Sequence, residues 1–162
     1  MPGTILIMRG LPGSGKSTHA ETLAQKHGAV IVSADFFFLE YEKWINPMPT
    51  PRQPVYRFDP KLLPQAHASC LRDFVRAIHG NKGLIIVDNT NLSVADLAPY
   101  AALALAYRYD LQILQMATDS EVCFARQVHG VSRHVFSRMV KTLQSEVIPR
   151  RWPVTLVPCQ KL

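Results

Sequence analysis

Gly10, Gly13 and Gly15, followed directly by Lys16, Ser17 and Thr18, place three permissive backbone positions, a cation and two hydroxyls close together. The full stretch, Gly10-Leu11-Pro12-Gly13-Ser14-Gly15-Lys16-Ser17-Thr18, matches G-x-x-x-x-G-K-[ST], the pattern of a phosphate-binding loop. Its glycines let the backbone turn tightly and bring N–H groups against phosphate oxygens with no Cβ in the way. A helix that begins at Lys16 adds unpaired N–H groups and the positive end of its dipole. In that frame Lys16 reaches the β- and γ-phosphates, the Ser17 hydroxyl ligates Mg²⁺ and Thr18 touches the α-phosphate. The expectation is a nucleoside triphosphate site, with Leu11, Pro12 and Ser14 as part of the cradle.

Two acids stand where phosphoryl transfer would use them. Asp35 follows the apolar run Ala29-Val30-Ile31-Val32, and Asp88 follows Leu84-Ile85-Ile86-Val87. The carboxyl ends of such strands form the edge at which open α/β sheets bind ligands. Transfer to a hydroxyl needs a carboxylate that orients the acceptor and takes its proton, and Asp35 is the candidate. Its alternative role is a turn aspartate that caps local backbone. Asp88 resembles an acid that holds Mg²⁺ directly or through water, while Asn89 and Asn91 beside it suit either a site or a turn. Arg126 and Arg133 flank the break His129-Gly130-Val131. Arginines on such a break form a lid that closes on phosphates, Arg126 being the first choice and Arg133 the second. A solvated helix face is the alternative, because Arg138 and Lys141 follow.

These residues need a frame. Thr4-Ile5-Leu6-Ile7-Met8 predicts the strand before the loop, and the spacing of Ala20, Leu23 and Ala24 predicts the helix after it, stopped by Gly28. Further strands are expected at 29–32, 84–87, 111–116 and 154–157. Residues 36–60 are expected to be irregular. Phe36-Phe37-Phe38, Tyr41 and Trp44 precede Pro47, Pro49, Pro51 and Pro54, a density of proline that opposes regular structure. Asp59-Pro60 starts a helix with a stripe through Leu62, Leu63, Ala66, Leu71, Phe74, Val75 and Ile78, ended by Gly80. Ser93 to Asp96 reads as a capping box opening a helix through about Tyr107. Asp119 or Ser120 caps the next helix. Ser132 starts the last, with Val135, Phe136, Met139, Val140, Leu143 and Val147 as its stripe and Pro149 as its stop. The alternation predicts an α/β chain with a parallel sheet covered on both faces, as a single domain over 1–162.

Composition narrows the classes. The 162 residues are 48% hydrophobic, enough for one good-sized core, and no apolar run approaches a membrane span of roughly 18 residues. No secretion signal is visible, and Cys70, Cys123 and Cys159 show no pairing pattern, so the expectation is cytoplasmic with reduced thiols. Histidines 19, 27, 67, 79, 129 and 134 make no metal set. Eighteen Lys and Arg against twelve Asp and Glu leave a net charge of +6, which suits a polyanionic partner.

The ordered set Gly10–Thr18, Ser33-Ala34-Asp35, Val87-Asp88-Asn89-Thr90-Asn91 and Arg126–Arg133 resembles the polynucleotide 5′-hydroxyl kinase group of P-loop kinases. That group includes the kinase half of phage polynucleotide kinase. Tyr56-Arg57-Phe58-Asp59-Pro60, then Leu63 and Ala66-His67, is similar to a eukaryotic and viral branch of small kinase-like ATPases. The resemblance spans nearly the whole chain. It implies a three-layer, adenylate-kinase-like P-loop NTPase fold with a five-stranded parallel sheet and a helical lid at about 126–134. It further implies ATP with Mg²⁺, and transfer of the γ-phosphate to a 5′-hydroxyl of RNA or DNA. By position, Lys16 and Ser17 hold triphosphate and metal, Asp35 is the base, Asp88 lies near the metal and Arg126 is the lid arginine. One position departs from the phage pattern: Phe38 stands where an arginine contacts the substrate phosphate. Phe37 or Phe38 then stacks a base or fills the core.

Three functions fit. The first is a kinase of nucleic-acid 5′ ends, and the second is a kinase of a small metabolite or nucleotide through the same Lys16 and Asp35. The third is a nucleotide-binding interaction module that uses Tyr41, Trp44 and the proline loop as a partner surface.

Overall fold

A computed structural model describes residues 3–39 and 58–158, so Tyr41, Trp44, Tyr56, Arg57, Cys159 and the proline run at 47–54 lie outside the described residues. Strands β1 (Thr4–Arg9), β2 (Val30–Val32), β3 (Leu84–Asp88), β4 (Asp110–Ala117) and β5 (Val154–Pro158) form one parallel sheet in the order β2-β3-β1-β4-β5. Helices α1 (Lys16–His27), α2 (Leu63–His79), α3 (Val94–Ala106), α4 (Ser120–Arg126) and α5 (Arg133–Ser145) connect them. The expected five-stranded α/β P-loop NTPase architecture is the one observed. Among the described residues no helix is long and apolar enough to cross a membrane.

Strand periodicity builds the three layers. Alternate residues of a strand point to opposite faces. Ile5, Ile7, Ile85, Val87 and Ile113 therefore meet one helical layer, with Ala66, Cys70 and Phe74 of α2 and Leu97, Tyr100 and Ala101 of α3. Leu6, Met8, Ile86, Leu114 and Met116 meet α1 through Ala20, Leu23 and Ala24. A smaller cluster of Leu11, Leu92, Cys123 and Phe136 fastens α4 and α5 to the glycine loop. Because both faces are covered, the inner strands read as continuous apolar runs.

Local chemistry sets most boundaries. The Asp59 side chain accepts from the Lys61 amide and Pro60 takes the first position of a 3₁₀ turn, Pro60–Leu62, that runs into α2. Ser93 and Asp96 form the reciprocal capping box of α3. Asp119 caps α4, Ser132 caps α5, and Gly130 sits in the break with φ +66°.

Two expectations change. Residues 35–39 are helical rather than irregular: this stretch precedes the prolines, the Ser33 hydroxyl accepts from the Asp35 amide, and Phe38 is buried in the core. Helix α5 ends at Ser145, short of Pro149. Glu146 is extended there, and its carboxylate accepts from the Val94 amide at the start of α3 at 2.8 Å. That tertiary bond satisfies an otherwise unpaired helix-start donor, and it leaves Val147 85% exposed instead of in the stripe.

Candidate active site

Sheet order brings the three loops together. Strand β3 lies between β1 and β2, with Met8 opposite Asp88 and Val32 opposite Val87, so the segments leaving these strands emerge side by side. A cavity of about 1030 Å³ opens over them. Its wall includes Pro12 through Thr18 from the glycine loop, Asp35 after β2, and Asp88, Asn89 and Thr90 at the end of β3. Arg126 and the segment 128–132 close one side, while Phe58, Pro60, Leu63 and His67 form the other.

The glycine loop is pinned on three sides. The Gly10 amide donates to the Thr90 carbonyl at 2.9 Å, and the Thr118 hydroxyl donates to the Ser14 carbonyl at 3.0 Å. On the third side Gly13, at φ +79°, packs on α4 so closely that an added Cβ would collide with the Cys123 carbonyl. It would also stand 2.8 Å from the Gln127 amide nitrogen. Gly15, also left-handed, is the N-cap of α1; no side chain caps this helix and no acid occupies its first turn. The first amides of α1 are thereby aimed at the cavity with their positive dipole end uncompensated.

Charge is buried here without full compensation. The Lys16 ammonium donates to the Leu11 carbonyl at 2.7 Å and to the Ser14 hydroxyl at 3.4 Å, within the loop itself. Burial lowers its pKa, against the opposing pull of Asp88, Cys123 and Asp35. Asp88 is pushed above the ordinary carboxylate range, also by burial, although a hydrogen bond with Ser17 and the charge of Lys16 oppose the shift. Asp88 Oδ1 is buried with no hydrogen-bond partner among the described residues. An orphaned acid oxygen beside a serine hydroxyl fits a hard divalent cation that draws its other oxygens from phosphate and water. Groups of three or more His, Cys, Asp or Glu that could hold a metal are absent among the described residues.

Asn89 has a role that its turn chemistry only half suggests. Its Oδ1 accepts from the Ala34 amide at 2.9 Å, and its Nδ2 donates to the Cys70 sulfur at 3.4 Å. The Tyr100 hydroxyl donates to the same sulfur at 3.3 Å. Asn89 thus ties the end of β3 to the residue before Asp35 and fixes the separation of the two acids. Asn91 is buried at φ +47° and donates to the Met8 carbonyl, bracing β1 from outside the cavity.

The two lid arginines part company. Arg126 lines the cavity. Arg133 does not; its guanidinium donates to both Glu121 oxygens at 2.9 and 2.8 Å and lies 3.9 Å above the Phe124 ring. It therefore clamps α4 to α5. Gln127 closes the same break by a pair of hydrogen bonds with Val131. Phe38 is also removed from the site, being 1% exposed, so of the two phenylalanines considered for base stacking this one fills the core. Phe58 and His67 are among the cavity residues that sequence reasoning did not place in the site. Their only signal was the motif running from Tyr56 to His67.

The decisive comparison follows from this geometry. Residues 5–144 match the AAA domain family, AAA_33. The chain belongs to that family. Its glycine loop and sheet order are those of a kinase-like P-loop domain. NEDD4-binding protein 2 of Homo sapiens is 30% identical over 146 residues, covering 86% of this chain and 8% of that protein. YLP motif-containing protein 1 of Mus musculus is 24% identical over 159 residues, covering 90% of this chain and 11% of its own length. The chain thus spans about a tenth of the curated relatives it matches. Among solved structures, the Pnkp1/Rnl/Hen1 RNA repair complex matches with a TM-score of 0.64 at 18% identity, covering 88% of this chain and 44% of that one. A gluconokinase from Sinorhizobium meliloti 1021 matches with a TM-score of 0.58 at 17% identity, covering 99% and 85%. At these identities the two structures share the fold.

Proposed function

We propose that this domain is an ATP- and Mg²⁺-dependent phosphotransferase whose acceptor is the 5′-hydroxyl of RNA or DNA. The observation that carries the reading is that Asp35, Lys16 and Asp88 line one cavity from three adjacent strand ends. Lys16 exchanges its loop contacts for phosphate oxygens, and the α1 amides receive the remaining phosphate charge. Ser17 and Asp88 would hold the divalent cation, which neutralises charge on the phosphates when bound. The Asp35 carboxylate takes the proton of the acceptor hydroxyl as that oxygen bonds to the γ-phosphorus. The bond from the γ-phosphorus to its bridging oxygen breaks, and ADP leaves with that electron pair. Arg126, on the lid spanning about 126–134, neutralises charge on the equatorial oxygens.

Two facts support a nucleic-acid acceptor: the net charge of +6, and the likeness to a chain of an RNA repair complex. A small hydroxyl acceptor is the second reading, supported by the gluconokinase and a sugar kinase that each align with 99% of this chain. Labelled γ-phosphate is offered to 5′-hydroxyl RNA, 5′-hydroxyl DNA and a sugar acid in parallel. We expect labelled oligonucleotide, and Asp35→Ala to cut its formation by about 10²- to 10⁴-fold while ATP affinity stays unchanged. Label on the sugar acid alone transfers the domain to the second reading. ATP binding with no labelled acceptor overturns both.

A further inference from the structure

Among the described residues, the cavity wall at the entrance to α2 is largely apolar where a polyol site would be polar. Phe58, 45% exposed, lies on the cavity wall with its ring 5.4 Å from that of Phe38. Phe38 is in turn 5.5 Å from Phe37 in an edge arrangement, so the Phe58 ring is supported from behind by the turn that begins with Asp35. The Asp59 cap and Pro60 hold it at the entrance to α2. Pro60, Leu63 and His67 continue the wall along one side of that helix, while Ala66, Cys70 and Phe74 turn into the core. Fixed cations of the described cavity wall, Lys16 and Arg126, belong to the glycine loop and the lid, not to this flank.

We propose that Phe58, with Pro60, Leu63 and His67 beside it, is a stacking subsite for the base of the terminal nucleoside whose 5′-hydroxyl faces Asp35. A sugar acid would need a cation for its carboxylate and a polar partner for each hydroxyl. The described residues of this flank offer an aromatic ring, two aliphatic surfaces and one imidazole, which suits a planar base of any identity, since every base has a π-face. Phe58 is then a specificity residue that acts on acceptor binding and not on the chemical step.

The subsite rests on the kinase reading, and the test separates the two. Two 5′-hydroxyl oligonucleotides are compared on the native protein, identical except that one carries an abasic residue at its 5′ end. We expect the abasic end to raise the acceptor KM roughly ten- to a hundredfold, with kcat at saturation and the KM for ATP unchanged. In Phe58→Leu the two oligonucleotides should become equivalent, both at the higher KM, and Phe58→Trp should restore the preference. Equal KM for both ends on the native protein overturns the stacking subsite and leaves the kinase reading standing. Transfer to neither end, with ATP bound, overturns the kinase reading and the subsite with it.

Discussion

The two flanks of one cavity are made by different means. On the side proposed for phosphate most groups are backbone: amides of the glycine loop and of the first turn of α1, joined by the Lys16 and Ser17 side chains, with the loop bonded to Thr90 and Thr118. On the side proposed for the acceptor they are side chains, Asp35, Phe58 and His67, delivered by separate elements and partly open to solvent. Phosphate is the same in every triphosphate, so one compact backbone cradle serves it and one short motif encodes it. An acceptor is individual, and its site is assembled from whichever side chains the fold brings to the sheet edge. The difference teaches where specificity can change in such a domain. On the proposed function, substitution on the acceptor flank should alter what is phosphorylated, whereas substitution in the cradle should abolish nucleotide binding.

The sharpest break in this contrast is Gly13→Ala. Its Cβ has no room beside the Cys123 carbonyl, and its φ of +79° disfavours any side chain. Nucleotide binding should be lost, with destabilisation of about 1–3 kcal/mol in chemical unfolding. No acceptor-flank substitution should affect ATP affinity to that degree.

Asp88→Asn sharpens the contrast in the opposite sense. Burial raises the Asp88 pKa, so the folded state binds its proton more tightly than the unfolded chain does. The stability it contributes is present below the ordinary aspartate pKa and is lost as pH rises through the raised value. At neutral pH the free protein therefore carries a destabilised carboxylate. Asp88→Asn should raise the melting temperature of the ligand-free protein by a few degrees, on the order of 1 kcal/mol, and flatten that pH dependence. Magnesium-dependent transfer should fall about a hundredfold in the same variant.

The lid should divide a large effect from the smallest one. Arg126→Ala should reduce kcat by about 10²-fold, because this arginine lines the cavity. Arg133→Ala should change kcat only about threefold and cost under about 1 kcal/mol, since its pair with Glu121 is solvent-exposed on both sides. Equal losses in kcat would restore Arg133 to the catalytic set.

How much was legible differs along the same divide. The loop and both acids could be found by reading, because motif, strand end and charge are contiguous in sequence. The capping signals at Asp59, Ser93, Asp119 and Ser132 also placed four helix starts, since each rests on bonds to neighbours within three residues. Legibility stopped where the deciding partner is remote. The end of α5 depends on Glu146 meeting Val94, and the role of Asn89 depends on Ala34 and Cys70. The assignment of Arg133 depends on Glu121 and Phe124, one helix earlier.

The glycine loop, the alternation of strands and helices and the acids after two strands were all readable from sequence. Each follows from local propensity and periodicity, which need no knowledge of distant contacts. Tertiary packing settled which side chains share the cavity. Sheet order put β3 between β1 and β2, burial took Phe38 into the core, and the capping turn left Phe58 at the cavity wall. Residues far apart in sequence become neighbours through packing, and packing is settled by the whole chain at once.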